Sequence, residues 1–154
     1  MHLSSRFPVA VQILIILAWV PDEVKVTSEI LAKSVNTNPV LIRRIMGYLK
    51  RGELIIIPTG IGGANLTKKP TEITLLDVYR AVELTEENQL FGLHDSPNPH
   101  CPIGKEINSV LKIHLDNARE ALENRLAQVN IAELVESFPP FDREILKYLA
   151  LKGE

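Results

Sequence analysis

Apolar residues recur at helical spacing along most of this chain. Residues 7–19 are almost continuously apolar and stop before Pro21. Two shorter helical segments follow, at residues 28–34 and from Asn38 to Lys50 or Arg51, and Gly52 is a natural end for the second of them. Thr27 or Ser28 can cap the earlier segment, and Asn38 can cap the later one. The pattern therefore predicts three consecutive helices.

The third predicted helix has two different faces. Ile42, Ile45, Met46 and Leu49 recur every three or four residues, which is the spacing of a core-facing stripe. The remaining positions carry adjacent arginines and other polar residues. Such arginines can simply form a solvated face, or they can contact a partner.

A β-branched run and a glycine-rich segment come next. Residues 54–57 read as a strand and residues 64–68 as its partner, so the segment PTGIGGANLTK (residues 58–68) forms a hairpin loop. Thr74 then caps a helix that reaches about Val82. Residues 85–102 lack apolar periodicity and read as an irregular loop.

The longest helical pattern covers residues 105–128. About 24 residues make a rod of roughly 36 Å, which overhangs a small domain, and a second copy of the chain is the simplest partner for its apolar stripe. The alternative is packing on its own domain. The stripe consists of Ile107, Val110, Leu111, Leu115, Ala118, Leu122 and Leu126. A short helix at 131–135 and a helical tail at 142–151, with no assigned role, complete the pattern.

Composition and charge narrow the function. With 154 residues and 45% hydrophobic content, the chain is the size of a single domain. Its formal net charge is −2, but residues 36–69 carry six Lys/Arg against one Glu, a local +5. Residues 85–154 carry seven Lys/Arg against twelve acids, a local −5. This separation predicts a basic working surface on an acidic remainder.

Two further observations concern the compartment. The single cysteine, Cys101, rules out an internal disulfide framework and fits a reducing cytoplasm. The apolar segment 7–19 is shorter than the roughly 20 residues that span a bilayer. We therefore predict a cytoplasmic protein with no membrane partner.

The glycine segment does not fit a nucleotide site. A dinucleotide fingerprint would need its third glycine at Asn65, and a P-loop would need a Lys directly after the last glycine. A strand pattern follows instead of a helix. Three helices and a basic-flanked hairpin are the order of a winged helix-turn-helix, in which the third helix enters the DNA major groove and the wing glycines approach phosphates. The predicted fold is thus mainly α with a small β-hairpin, comprising a winged helix-turn-helix domain and a long dimerisation helix.

Long stretches of the chain resemble the Rrf-type bacterial regulators, among them the iron–sulfur cluster assembly, nitric-oxide-responsive and cysteine-metabolism repressors. The matching text is SSRFPVAVQILIILA, NPVLIRRIMGYLKRGELI, TGIGGANLTK, EITLLDVYRAVE and HCPIGKEINSVLKIHLDNAREALENRL, within about residues 3–135. The resemblance implies a homodimeric transcriptional repressor that binds a palindromic operator in double-stranded DNA.

The predicted DNA-binding residues lie on the helix-turn-helix and the wing. They are Thr27, Ser28, Asn38, Pro39, Val40, Arg43, Arg44, Tyr48, Lys50, Arg51, Thr59, Gly60, Ile61, Gly62 and Gly63. Asn38 has either a capping role alone or a DNA contact as well. The family wing commonly has an arginine where this chain has Thr59, and Arg43 stands where the cluster assembly repressor has an acid. We therefore expect a weaker minor-groove contact and a different operator.

The sensor positions also depart from the family. Cluster-binding members carry three cysteines in the loop before the long helix, whereas this chain has only Cys101, with His100 beside it. We predict no cofactor, because iron–sulfur clusters need several thiolates. Two alternatives to a DNA-binding repressor remain: a redox-responsive thiol sensor that uses Cys101, and a winged-helix module that binds protein. No metal-ligand spacing or nucleophile–base pairing is present, so the chain is not predicted to be an enzyme.

The predicted organisation has four parts. Residues 1–84 form the winged helix-turn-helix domain and 85–103 a loop that carries the sensor in relatives. Residues 104–137 hold the dimerisation helix and a short helix, and 138–154 form a C-terminal extension of unassigned role.

Overall fold

The computed structural model describes residues 4–60, 62–83 and 90–150, except for the side chains of residues 149 and 150. Within these ranges the chain is mainly α-helical with one two-stranded antiparallel sheet, which confirms the predicted fold class. The elements are α1 Arg6–Trp19, α2 Ser28–Val35, α3 Pro39–Arg51, β1 Ile55–Ile56, β2 Asn65–Leu66, a 3-10 helix Pro70–Glu72, α4 Leu75–Val82, α5 Pro102–Leu126, α6 Ile131–Val135 and α7 Glu144–Ala150.

Helix α1 is the centre of the core. Ala10, Ile13 and Leu14 are fully buried, and α1 contacts α2, α3, α4, α6 and β2. The prediction that this apolar segment is a buried helix is confirmed. Among the helices of the described ranges, none combines the length and apolarity that a bilayer crossing needs.

Helices α2 and α3 are joined by a tight turn. Asn36 adopts the left-handed conformation (φ 59°), and the Thr37 N–H donates to the carbonyl of Ala32 at 3.0 Å. Thr27 caps α2, since its Oγ1 accepts from the Ile30 N–H at 3.3 Å. Asn38 caps α3, since its Oδ1 accepts from the Leu41 N–H at 2.9 Å. Both predicted caps are therefore present.

Helix α3 ends at Arg51, directly before the predicted stop at Gly52. Gly52, however, does not adopt the left-handed conformation with which a glycine commonly ends a helix. Gly52 has a negative φ of −77°, and the left-handed residue is Glu53, with φ 58°. A Cβ on Gly52 would lie 2.8 Å from the Cβ of Ala81. The glycine is therefore needed for the close approach of α4, and not for a left-handed turn.

The wing is a short hairpin, with Ile55 opposite Leu66 and Ile56 opposite Asn65. These strands are shorter than the predicted 54–57 and 64–68. Pro58 has no N–H to donate, and the Ala64 N–H donates to the Val26 carbonyl at 3.1 Å instead. The base of the wing is thereby attached to the segment that precedes α2.

Helix α5 begins at Pro102, three residues before the predicted start, and ends at Leu126 rather than at residue 128. Proline occupies the first helical position, where its missing N–H costs no hydrogen bond. The predicted loop 85–103 therefore ends at Cys101, and residues 84–89 lie outside the described residues. No residue of α5 is buried in the single chain. The predicted dimer residues Val110, Leu111 and Ala118 are exposed, whereas Ile107, Leu115, Leu122 and Leu126 are half-buried.

The carboxyl end of α5 is fixed to the winged domain. The Leu75 N–H donates to the Val129 carbonyl and the Ile131 N–H to the Ile73 carbonyl, both at 2.9 Å. Arg80 of α4 also lies 3.7 Å from Glu123 of α5. The amino-terminal part of α5, in contrast, has few contacts with its own chain, which leaves apolar surface available there.

The C-terminal segment folds back over α1 and α2. The indole Nε1–H of Trp19 donates to the Pro139 carbonyl at 2.7 Å, and the Trp19 and Phe141 rings meet edge to face at 5.1 Å. Helix α7 then packs against α2. Residues 138–150 are thus part of the packed structure.

Candidate nucleic-acid interface

The outer face of α3 is a basic stripe with one exposed apolar residue. Ile42, Ile45, Met46 and Leu49 are buried, as the sequence pattern predicted. On the opposite side, Arg43, Arg44, Lys50 and Arg51 are exposed, and Val40 is 72% exposed. Pro39 lies half-buried at the first helical position. Guanidinium groups can pair with guanine or phosphate, and an exposed aliphatic side chain suits a thymine methyl group.

Gly47 lies in the middle of this stripe. At 100° per residue it falls between Val40, Arg43, Arg44 and Arg51 on the exposed side of α3. A Cβ there would meet only the Arg51 Nη1, at 4.0 Å. Internal packing therefore does not require a glycine, although glycine in a helix costs about 1 kcal/mol relative to alanine. A bare backbone here does allow another molecule to approach closely.

Arg43 is held by an acid of α2. Its Nη2 lies 2.7 Å from the Glu29 Oε1, and both side chains are more than half exposed. The pKa of Glu29 is lowered by a backbone N–H, by Arg43 and by the Ser28 hydroxyl, which donates to the Glu29 Oε2 at 3.2 Å. The ionised Glu29 therefore fixes the orientation of the Arg43 guanidinium and would compete with any other anion for it.

Tyr48 stands at the margin of the stripe. Its half-buried ring has the guanidinium carbon of Arg51 at 5.0 Å and that of Arg6 at 5.8 Å from its centroid. Such cation–π pairs fix both arginines beside the ring. Tyr48 thus orders two cations at the edge of the basic face, and its contact with DNA stays a prediction.

The wing tip is built from glycines in the left-handed region. Gly60, Gly62 and Gly63 have φ of 77°, 71° and 82°, values that side chains rarely adopt. Thr59, Gly60 and Gly62 are exposed, and Ile61 lies outside the described residues. A Cβ on Gly63 would meet the Val26 N at 3.4 Å, so this glycine also allows the wing to lie close to the chain before α2.

Five of the predicted residues border one depression of about 370 Å³, and the others lie outside it. It is bordered by the first turn of α2, by α3 and by the wing, through Thr27, Ser28, Glu29, Arg43, Met46, Ile57, Gly62 and Gly63. The positive end of the α2 dipole, an arginine and glycine backbone N–H groups suit a phosphate oxygen.

The sensor candidates lie at the start of α5. Cys101 is exposed at the N-cap of α5, and the N–H groups of Gly104 and Ile103 lower the pKa of its thiol. His100 is also exposed, and its N–H donates to the Asn98 Oδ1 at 2.9 Å. This arrangement increases the thiolate fraction of Cys101 at neutral pH.

Sequence reasoning omitted two residues of this surface. The Glu29–Arg43 pair joins two helices, so the periodicity within either helix does not predict it. Gly47 was not included among the site residues. An outward-facing glycine within a helix of otherwise helix-compatible residues was the available signal.

The family model described as Rrf2, iron-dependent transcriptional regulator, matches residues 3–137. The chain is 43% identical over 133 residues to the "Putative HTH-type transcriptional regulator YwnA" of Bacillus subtilis, covering 86% of this chain and 96% of that protein. It is also similar to a crystal structure described as "a putative DNA binding protein", with 39% identity and a TM-score of 0.69. That alignment covers 84% of this chain and 98% of the other.

A third comparison concerns the fold alone. CymR, the global cysteine regulator of B. subtilis, shares 18% identity with this chain at a TM-score of 0.65. The alignment covers 90% of this chain and 99% of CymR. Helix-turn-helix, wing and long helix therefore form an arrangement that persists at low sequence identity.

The donor atoms of this chain do not fit an iron–sulfur cluster. The sequence contains one cysteine, and clusters are held by several thiolates. Within the described residues, no group of three or more His, Cys, Asp and Glu side chains could hold a metal ion. The expectation that the chain binds no cofactor stays a prediction.

Proposed function

Because the chain belongs to the Rrf2 family of DNA-binding transcriptional regulators, and is not an enzyme, we propose that it acts as a homodimeric repressor on a palindromic operator. The observation that carries this proposal is the surface shared by α2, α3 and the wing. That surface combines the exposed arginines of α3 with a depression bordered by Arg43, the N-terminus of α2 and the glycine backbone of the wing. Duplex DNA, whose phosphates are regularly spaced, is a partner that fits all three features.

In this proposal α3 enters the major groove. Arg43 and Arg44 face base edges or flanking phosphates, and Val40 faces an apolar base edge. Lys50 and Arg51 reach phosphates, as do the Thr27 and Ser28 hydroxyls at the start of α2. These assignments rest on the exposure of each side chain and on the usual geometry of a helix-turn-helix.

The wing lies near the adjacent minor groove. Thr59 supplies a hydroxyl there, and Gly60, Ile61, Gly62 and Gly63 supply backbone N–H groups. A hydroxyl carries no charge, so it does not use the strong negative potential of a narrow minor groove as an arginine would. Specificity in this chain therefore depends mainly on α3.

Dimerisation in this proposal uses α5. Val110 and Leu111 are 58% and 42% exposed on one chain, and no residue of the helix is buried. An apolar stripe on an exposed helix is stabilised by a second copy, which also supplies the two-fold symmetry of a palindromic operator. The two α3 helices then contact two half-sites.

DNase footprinting on duplex from the promoter of its own gene tests this function. We expect protection of two symmetric half-sites spaced by about one helical turn or a multiple of it. Transcription in vitro from that promoter should fall as the protein is added. Absence of protection at low salt would contradict the proposal and favour a module that binds an acidic protein.

A second candidate function is redox sensing by Cys101, and the lowered pKa of its exposed thiol favours it. Mild peroxide should then change the affinity for the footprinted duplex, and Cys101→Ser should abolish that change. Peroxide sensitivity that persists in Cys101→Ser would exclude this thiol as the sensor.

A further inference from the structure

A long apolar groove lies between α1 and the C-terminal segment. It has a volume of about 750 Å³ and runs along the side of α1 that carries Phe7, Val11, Ile15 and Trp19. At 100° per residue, this side is opposite the fully buried Ala10 and Ile13. Helix α1 is therefore apolar on both sides: one side is fully buried in the core, and the groove side packs against the core only in part.

The groove is closed in part by residues that lie beyond the family match. Leu134 of α6 forms one wall, and Phe138, Pro139 and Ile145 form another. The matched region ends at residue 137. The hydrogen bond from Trp19 to Pro139 and the edge-to-face contact of Trp19 with Phe141 hold this second wall on α1. The C-terminal extension thus creates an enclosure and leaves it incompletely filled.

The polar groups of the groove are few and specifically arranged. Among the described residues, its lining contains no charged side chain, and Gln12 and Ser34 are the two side chains with hydrogen-bonding groups apart from the indole of Trp19. The Gln12 amide Nε2 donates to the Ser34 carbonyl at 3.2 Å and to the Ser34 Oγ at 3.4 Å. A carbonyl only accepts, so the Gln12 amide nitrogen must face Ser34. The Gln12 Oε1 accepts no hydrogen bond from any described residue, and it suits a donor from another molecule.

From these observations we propose that the groove binds a small, neutral, largely apolar molecule with one N–H or O–H donor. Ligand sites in proteins are commonly clefts of about 300–1,000 Å³ with apolar and aromatic walls and a few placed polar groups. An ionic ligand is disfavoured, because no opposite charge would replace its lost hydration. Aromatic side chains on both walls favour a ring system.

The groove borders the helix-turn-helix directly. Ser34 belongs to the last turn of α2, and α7 packs on α2 beside the same enclosure. A bound molecule would therefore touch α1, α2 and the C-terminal segment together. This site is separate from the DNA-facing surface and from Cys101.

Trp19 makes the site measurable, since it is the only tryptophan of the chain and lies in the groove wall. The probe is N-phenyl-1-naphthylamine, a neutral aromatic with one N–H, added to the full-length protein without DNA. We expect saturable energy transfer from Trp19 to the probe, with one probe per chain. Val11→Phe, which fills the groove, should weaken binding about ten-fold or more.

The matched control is Leu17→Phe, which adds a ring on the opposite side of the same helix, away from the groove. It should leave probe affinity unchanged. Phe138→Ala provides a second variant, because Phe138 is 52% exposed and its loss removes groove wall without opening the core. It should also weaken binding, and circular dichroism verifies that each variant is folded.

The polar part of the proposal has its own test. In the wild type, 1-naphthol should displace the probe about five-fold better than 1-methylnaphthalene, because only the naphthol donates a hydrogen bond. Gln12→Met should abolish this difference. Equal displacement in the wild type would contradict the role of Gln12.

Three results would overturn the site itself. They are non-saturable energy transfer, equal affinity in Val11→Phe and wild type, and dissociation of a dimer by Val11→Phe, which would assign the groove to a second copy. Because no DNA is present, these outcomes are independent of whether the chain represses transcription.

Discussion

Gly47 is the residue at which the stability of α3 and its use for binding are in conflict. A methyl group at this position has space within the chain, and alanine has the higher helix propensity. The same methyl group would protrude from the centre of the exposed stripe. Folding therefore does not explain the glycine, whereas the proposed approach of DNA to α3 would.

We predict that Gly47→Ala stabilises the protein by about 1 kcal/mol in urea unfolding. Its affinity for operator duplex should fall by roughly ten-fold, because the methyl group would hold α3 away from the base edges of the DNA major groove. Gly92→Ala is a suitable control, since nothing lies within 4 Å of a Cβ there and the position is remote from α3. Unchanged DNA affinity in Gly47→Ala would remove Gly47 from the interface.

Glu29 reduces the positive charge of the basic face of α3. Its carboxylate holds Arg43 at 2.7 Å and places a negative charge where DNA phosphates are expected. An exposed ion pair contributes about 0.2–1 kcal/mol, or up to roughly five-fold in affinity. In the proposed complex the pair would therefore decrease the affinity for DNA of any sequence while it orients Arg43.

We predict that Glu29→Gln binds random duplex about two- to five-fold more tightly and discriminates less well between operator and random sequence. Fluorescence anisotropy with both duplexes measures the two effects. Glu136→Gln removes the same charge on an exposed residue after α6 and should change neither value. Weaker binding of random duplex by Glu29→Gln would contradict this role.

At the scale of elements, α5 has two different halves. Its carboxyl end is held by Arg80 of α4 and by backbone hydrogen bonds near Val129. Its amino-terminal half exposes Val110 and Ile113, which are 58% and 66% accessible. The large exposed apolar side chains of α5 therefore lie in this half, where they suit a second chain.

We predict that Val110→Lys converts a dimer into a monomer of 17.2 kDa in sedimentation velocity. Lysine at this exposed position leaves the single chain folded but would place a charge in an apolar interface. Glu120→Lys, an exposed position on the same helix, should remain dimeric. A Val110→Lys variant that stays dimeric would move the interface away from this stripe.

For the whole molecule, the separation of basic and acidic segments matters more for the proposed DNA binding than the net charge of −2. The basic side chains of α3 lie together on the candidate interface, and the acidic excess lies in the second half of the chain. A protein with negative net charge can therefore bind a polyanion through one face. Affinity should then decrease steeply with salt.

We predict that Lys50→Gln weakens binding to all duplex sequences similarly. It should reduce the slope of log K against log salt by about one per protomer. Lys147→Gln, on the exposed face of α7, is the matched control and should leave the slope unchanged. An unaltered slope in Lys50→Gln would exclude this lysine from phosphate contact.

Local sequence signals determined most of the fold. The helices α1 to α3, their Thr27 and Asn38 caps and the buried stripe of α3 follow from periodicity and capping chemistry, which act within a few residues. The same holds for the exposed arginines, because they occupy the face opposite that stripe. These features needed no knowledge of distant contacts.

The tertiary structure alone decided the remaining features. The short wing strands follow from the backbone hydrogen bond between Ala64 and Val26. The need for a glycine at position 52 follows from the close approach of Ala81. The Glu29–Arg43 pair and the groove closed by Phe138 likewise join residues 14 or more positions apart. Periodicity reports which side of an element is apolar, but it does not report which residue of another element will meet that side. For this protein, the sequence therefore determined the elements and their faces, whereas packing determined which faces meet and where an unfilled space remains.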